Sequence, residues 1–136
     1  MKYLISIILS IILLTGCTKN MIYDYRDSQS DILILPNDYR VFGSLGEDHF
    51  ISKKQEYSPI IVGSNVIEIG WKDHYVLYKR NIYSKNIFEI GVLNTKNDTI
   101  TILSSEKDID KQLQELKIKA ISLNNVEELI ENKRKR

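Results

Sequence analysis

The sequence predicts an α+β fold: an antiparallel β-meander sheet of about five or six strands, with one or two C-terminal helices packed on one face. Two observations carry this prediction. Four runs between residues 66 and 103 alternate in polarity with a period of two, and short polar turns separate them, which is typical of an antiparallel meander. After Ser105 the apolar period changes to 3.6, which indicates a helix.

Short candidate strands come first along the chain, and longer ones follow. In the first hairpin, Pro36, Asn37 and Asp38 supply turn residues between two apolar runs. The expected strands are 31–35, 39–42, 49–51 and 60–62, followed by 66–71, 74–80, 88–92 and 99–103. Gly63, Ser64 and Asn65 mark the turn after which the alternating pattern becomes strong.

The helical region contains one apolar stripe and one capping pattern. Ile109, Leu113 and Leu116 fall at i, i+4 and i+7, so they predict a helix that faces the core. Residues 118–123 are expected to form a short strand at the sheet edge. Asn125 with Glu128 resembles a helix cap and predicts a final short helix.

The N-terminal region has the layout of a secretory signal. Lys2 precedes an apolar run of about twelve residues, shorter than the roughly 20 that span a bilayer. The run ends in Leu14-Thr15-Gly16-Cys17, which resembles the bacterial lipobox. We therefore predict cleavage between Gly16 and Cys17 and a thioether bond between the Cys17 sulfur and diacylglycerol. The alternatives are an ordinary signal peptide and a retained transmembrane helix.

These features predict a lipoprotein signal peptide at 1–16, a lipidated cysteine and tether at 17–30, one globular domain at 31–132 and a basic tail at 133–136. Removing the signal leaves 120 residues, enough for one core without disulfides. Cys17 is the only cysteine, so its acylation leaves no thiol for a disulfide or a metal site.

Charge excludes some partners. Loss of Lys2 leaves 18 basic and 18 acidic residues, so the mature chain is neutral and no nucleic-acid partner is expected. Its basic tail, residues 133–136, is a solvated end or a contact with anionic lipid headgroups.

Three segments resemble small uncharacterised bacterial lipoproteins that share a domain of unknown function. They are Leu35-Pro36-Asn37-Asp38-Tyr39, the hairpin Ile67–Leu77 around Trp71, and Phe88–Asn94. The resemblance covers roughly residues 30–105. It implies the same fold and the same cellular location, and it implies no biochemical activity because none is assigned to the family.

Few residues suggest chemistry. His49 and His74 each follow an aspartate, and an Asp–His pair can orient an imidazole for base catalysis or metal binding. Adjacent strand residues point to opposite faces, however, so surface histidines are the alternative. Glu68 and Glu89 interrupt apolar strands and are expected either to face each other across the sheet or to face solvent. The chain contains no nucleophile elbow and no phosphate-binding glycine loop.

Aromatic residues concentrate around one predicted hairpin. Trp71, Tyr75 and Tyr78 are candidates for a sugar-binding or peptide-binding surface. Packing within the sheet is the alternative, because aromatic residues are favoured in strands.

The function expected from the sequence is a lipid-anchored cell-envelope lipoprotein whose domain binds a partner without catalysis. It would sit on the cell membrane or outer membrane through acylated Cys17, with the folded part outside the cytoplasm and an envelope protein as partner. No cofactor and no metal are expected. The alternatives are a small-ligand or sugar binder that uses the aromatic hairpin, and an enzyme built from His49, His74, Glu68 and Glu89.

Overall fold

Two antiparallel sheets and two helices make up the described part of the chain. A computed structural model describes residues 33–43, 45–46, 48–54 and 59–136. The first sheet has the order β1-β2-β3-β4, with β1 Leu33–Ile34, β2 Tyr39–Phe42, β3 Phe50–Lys53 and β4 Ile60–Val62. The second has the order β8-β7-β6-β5-β9, with β5 Val66–Lys72, β6 Tyr75–Ile82, β7 Ile87–Asn94, β8 Thr99–Ile102 and β9 Asn124–Asn125. The helices are α1, Ile109–Glu115, and α2, Val126–Arg134. The predicted α+β class is confirmed.

The chain passes from the first sheet to the second between β4 and β5. Asn65 has a φ of 69°, in the left-handed region that asparagine tolerates. A register shift between Val66 and Glu68 then bends the start of β5. The Val66 N–H donates to the His49 carbonyl at 3.0 Å, which ties β5 to the loop before β3.

The second sheet is covered on both faces. One face packs on the first sheet and on α2, through residues such as Val76, Leu93 and Ile130. The opposite face packs on α1 and the segment that follows it, through residues such as Leu77, Leu113 and Ile121. This explains why β6 contains three consecutive buried residues, since a strand with two covered faces cannot alternate.

The helical region follows the prediction with two differences. Asn125 caps α2, because its side chain accepts a hydrogen bond from the Glu128 N–H at 3.2 Å. Residues 118–123 are not a strand, and the edge strand β9 forms immediately after them. Leu116 lies at the end of α1 and is 41% exposed, because Lys117 at a φ of 59° ends the apolar stripe.

A polar cluster joins the first sheet to the turn between β7 and β8. The hydroxyl of buried Tyr39 donates to Asp98, and Lys53 Nζ lies 2.6 Å from Asp98 Oδ2. Burial, followed by the bond to Asp98 and its negative charge, raises the pKa of Tyr39. Asn37 donates to Thr95 Oγ1 at 2.8 Å beside this cluster. The two sheets are therefore held together by hydrogen bonds as well as by apolar packing.

The predicted signal peptide, the lipobox with Gly16 and Cys17, and the tether all lie outside the described residues. Between residues 33 and 136, no described helix is both long and apolar enough to cross a membrane. Helix α2 continues to Arg134, so part of the predicted basic tail is helical.

Candidate functional site

The two histidines do not form one site. The His49 carbonyl pairs with Val66, the first residue of β5, whereas His74 is the second residue beyond the end of that strand. Seven residues of β5 separate the two positions, a length of about 20 Å. Among the residues that the structure describes, no group of three or more His, Cys, Asp or Glu is placed to hold a metal ion.

Glu68 and Glu89 do not face each other, because β6 lies between β5 and β7. Each glutamate instead faces a cation on β6. Glu68 Oε2 lies 3.4 Å from Lys79 Nζ, and Glu89 Oε1 accepts from Arg80 Nε at 2.7 Å. The hydrogen bond from Arg80 lowers the pKa of the Glu89 carboxyl, so this group is an ion-pair partner and not a raised-pKa acid.

The three aromatic candidates do not share a surface. Tyr78 is 1% exposed and packs between the two sheets. The prediction that it belongs to a binding surface is therefore wrong. The Tyr78 ring lies over Gly91 on β7, where a side chain would collide with it. Tyr75 packs on the opposite face of the sheet, with its ring centroid 4.1 Å from that of His74. Trp71 alone is well exposed, at 40%.

A cavity of about 240 Å³ lies where the two sheets meet the N-terminus of α2. We call it the His49 cavity. Its described lining comes from the loop before β3, the start of β5, the short turn after β6 and the first turn of α2. The lining residues are Gly46, Asp48, His49, Asn65, Val66, Ile67, Tyr83, Asn125, Val126 and Glu127.

His49 is the buried polar group of this cavity. The residue is only 4% exposed, and its Nε2 atom is buried without a hydrogen-bond partner. The nearest carboxylate oxygen recorded for it is Oε1 of Glu127, at 3.8 Å, which is too long for a direct hydrogen bond. An unpaired buried polar atom costs about 1–3 kcal/mol, so an acceptor or donor that fills this gap would bind favourably.

Local backbone features hold His49 in place. Gly43 has a φ of 123°, and a Cβ atom on it would lie 2.9 Å from the His49 ring and 2.7 Å from the Asp48 carbonyl oxygen. Only glycine allows the loop to pass this close to the imidazole. On the other side, the Gly46 N–H donates to Glu127 Oε1 at 2.9 Å, which fixes the carboxylate beside the histidine.

The second carboxylate of the cavity has a neutral partner. With its amide oriented to satisfy both atoms, the Asn65 side chain donates to Asp48 Oδ1 at 2.6 Å. Val66 and Val126 are almost fully buried and supply an apolar wall. Tyr83 is 68% exposed and lies at the rim. The cavity thus combines an apolar wall, two carboxylates and one unpaired imidazole nitrogen.

A larger groove of about 530 Å³ runs between the start of α1 and residues 121–123. Its charged side chains, such as Glu106, Lys107 and Asp110, are exposed. No unpaired buried side-chain atom is recorded among the described residues that line it. We interpret the groove as a solvated surface.

The residue patterns identified only part of the His49 cavity. The sequence predicts the Asp48-His49 pair as a candidate, but it marks Asn65 only as a turn residue and does not single out Glu127. No local pattern links them, because 78 positions separate His49 from Glu127. The usable signal was the predicted cap at Asn125, which places Glu127 in the first turn of a helix.

A family model describing a domain of unknown function matches residues 36–127, about two thirds of the chain. The chain belongs to this family, "Protein of unknown function (DUF3997)". The ten described lining residues of the His49 cavity all lie within the DUF3997 match. No curated protein and no solved structure matches the chain.

Proposed function

We propose that this protein is a lipid-anchored bacterial cell-envelope lipoprotein whose folded domain binds a ligand or partner without catalysis. The anchor is supported by the apolar run that ends in Leu14-Thr15-Gly16-Cys17. In this proposal, acylated Cys17 attaches the chain to the cell membrane or outer membrane, and the domain lies outside the cytoplasm. Because binding by one acyl chain is marginal, stable attachment requires the two or more chains of a bacterial lipoprotein.

The observation that carries the binding role is the unpaired Nε2 of buried His49 at the His49 cavity. Ligand sites are concave, mostly apolar and furnished with a few convergent polar groups. The His49 cavity has that composition, with Glu127 and Asp48 beside the imidazole.

A binding role is favoured over catalysis by the positions of the four candidate enzyme residues, His49, His74, Glu68 and Glu89. His49 and His74 lie at opposite ends of β5, and Glu68 and Glu89 form separate ion pairs with residues of β6. General acid–base catalysis needs groups within hydrogen-bond reach of one reacting atom. These four residues therefore do not meet that requirement together.

The anchor is tested by metabolic labelling with a fatty-acid analogue and detergent phase partitioning of the full chain. The wild type should incorporate the label and enter the detergent phase, whereas Cys17→Ser should do neither. Gly16→Ala keeps a small residue before the cysteine and should behave as the wild type does. Labelling of Cys17→Ser at the wild-type level would refute the anchor, because Cys17 is the only cysteine.

The binding role is tested by crosslinking in intact cells, followed by detergent extraction and mass spectrometry. Glu127→Gln changes the charge of the His49 cavity while its amide oxygen can still accept from Gly46. Glu131→Gln is the matched control, since Glu131 is exposed one turn further along α2. A partner captured by wild type and control but lost with Glu127→Gln supports the proposal. Capture that is equal in all three, or absent from the well-expressed wild type, contradicts binding at this cavity.

A further inference from the structure

The His49 cavity has an acidic lining. Asp48 and Glu127 are its two carboxylates, and its described lining residues include no lysine and no arginine. Among the described residues, the donors shown for these carboxylates are neutral, namely the Gly46 N–H for Glu127 and the Asn65 amide for Asp48. Elsewhere in the described part, Glu68, Glu89 and Asp98 each contact a lysine or an arginine. The cavity therefore disfavours an anion and favours a cation.

The spacing of two atoms indicates what kind of cation fits. His49 Nε2 and Glu127 Oε1 are 3.8 Å apart. A single nitrogen donor placed between them can lie about 2.9 Å from both atoms, which is ordinary hydrogen-bond length. An ammonium group has three N–H donors and no acceptor, whereas an unprotonated imidazole nitrogen and a carboxylate oxygen are both acceptors. Such a donor would satisfy the buried Nε2 atom, which has no partner in the fold.

The remaining lining limits the rest of the ligand. Val66, Ile67 and Val126 form the apolar part of the lining, and the exposed Tyr83 ring lies at the rim. A volume of about 240 Å³ lies below the roughly 300–1,000 Å³ of sites for drug-sized ligands. The space suits a short aliphatic chain that leaves through the rim beside an aromatic ring.

We propose that the His49 cavity binds a primary ammonium group carried on a short aliphatic chain. The ammonium donates to His49 Nε2 and to the Glu127 carboxylate, and the chain packs on the valines. This inference rests on the proposed binding function and names its ligand class. Both a free aliphatic diamine and the side chain of a lysine-type residue present this chemistry.

The test uses the full chain in detergent micelles, with isotope-labelled histidine. The chain has two histidines, so its imidazole NMR spectrum reports the cavity through His49 and carries an internal control in His74. The probes are n-butylammonium and two uncharged or anionic analogues of similar size, 1-butanol and butyrate. We expect n-butylammonium to shift the His49 signals saturably and to bind about tenfold or more tightly than 1-butanol. Butyrate should cause no shift, and His74 should not respond to any probe.

Two variants and two further probes sharpen the result. Glu127→Gln should weaken n-butylammonium binding by about tenfold, and Glu131→Gln should leave it unchanged. Comparing 1,4-diaminobutane with Nα-acetyl-lysine amide identifies the source of the ammonium group, since the tighter ligand is the better match to the rim.

The outcomes separate this inference from the proposed function. Equal binding of 1-butanol and n-butylammonium, or a response to butyrate alone, overturns the ammonium specificity and keeps a ligand site at the cavity. A response of both histidines to n-butylammonium indicates nonspecific binding and overturns the inference. No response of His49 to any probe also overturns it, while the crosslinking result with Glu127→Gln still decides the binding role.

Discussion

Gly91→Ala is expected to destabilise the fold through a collision with Tyr78. A Cβ atom on Gly91 would lie 2.6 Å from Tyr78 Cζ and 2.8 Å from Cε1, and still closer to the phenol oxygen. Ordinary contact requires a displacement of about 1 Å, and the ring cannot move outward because it is 1% exposed. Overpacking of this kind costs about 1–3 kcal/mol. Reduced chain entropy in the unfolded state offsets about 0.4–1 kcal/mol.

The midpoints of these two terms give a net loss of about 1.3 kcal/mol, so for a domain of this size the melting temperature should fall by about 5–10 °C. Urea unfolding followed by the fluorescence of Trp71, the single tryptophan, measures the change. Gly63→Ala is the control, because its Cβ would meet only the flexible end of Arg80, at 2.6 Å from Nη1. The cost of Gly91→Ala should largely vanish in a Tyr78→Leu background. An equal cost in both backgrounds, or no cost in the wild type, would refute a tightly packed Tyr78.

Two further predictions concern the polar contacts of the sheets. Tyr39→Phe removes the phenol that donates to Asp98, and it should lower the free energy of unfolding by about 1 kcal/mol in urea titrations. No loss of stability would show that Lys53 alone satisfies Asp98. The second prediction concerns acid. Because Arg80 lowers the pKa of Glu89 in the folded state, their pair stabilises the fold above the unfolded pKa of about 4.3 and loses that contribution as pH falls through the folded pKa. The stability difference between wild type and Arg80→Met should therefore narrow as the pH is lowered below about 4, and a constant difference between pH 7 and pH 3 would contradict the pairing.

The strands that alternate strongly were predictable, and the arrangement of the sheets was not. Strands β5 to β8 lie near the bounds predicted for residues 66–103, because local alternation decides which residues form a strand. The division into two sheets falls between β4 and β5, beside the left-handed Asn65 and the register shift after Val66, and neither feature changes the alternation visible in the sequence. The sequence also does not show which residues of β6 face the core between the sheets, because both faces of this strand are covered and apolar residues occupy both.

The candidate site was harder to predict because its parts come from distant segments. A histidine beside an aspartate is a weak signal, and Asp48 and His49 lie in the loop before β3, where the divergence of adjacent strand residues does not apply. The contact with Glu127 depends on the docking of α2 against β5 of the second sheet, through the core that contains Val126 and Ile130. The cap at Asn125 predicted the start of that helix, yet no local pattern indicates which loop its first turn meets.

His49→Leu gives the sharpest distinction between a functional and a structural role for the buried histidine. The unpaired Nε2 atom costs the fold about 1–3 kcal/mol, and leucine has a similar volume without a polar atom. If the imidazole serves a ligand, His49→Leu should raise the free energy of unfolding by about 1 kcal/mol and abolish binding of n-butylammonium. Stabilisation with loss of binding is typical of sites whose polar groups are kept for function.

The same measurement can refute the role assigned to His49. A loss of more than about 1 kcal/mol with His49→Leu would mean that the imidazole hydrogen-bonds to an ordered water or to the protein and holds the loop before β3. His49→Asn then separates the two cases, because it restores a polar group without restoring the reach to Glu127. If His49→Asn recovers stability but not n-butylammonium binding, the histidine is required for the ligand. If it recovers neither, the histidine has a structural role in the fold.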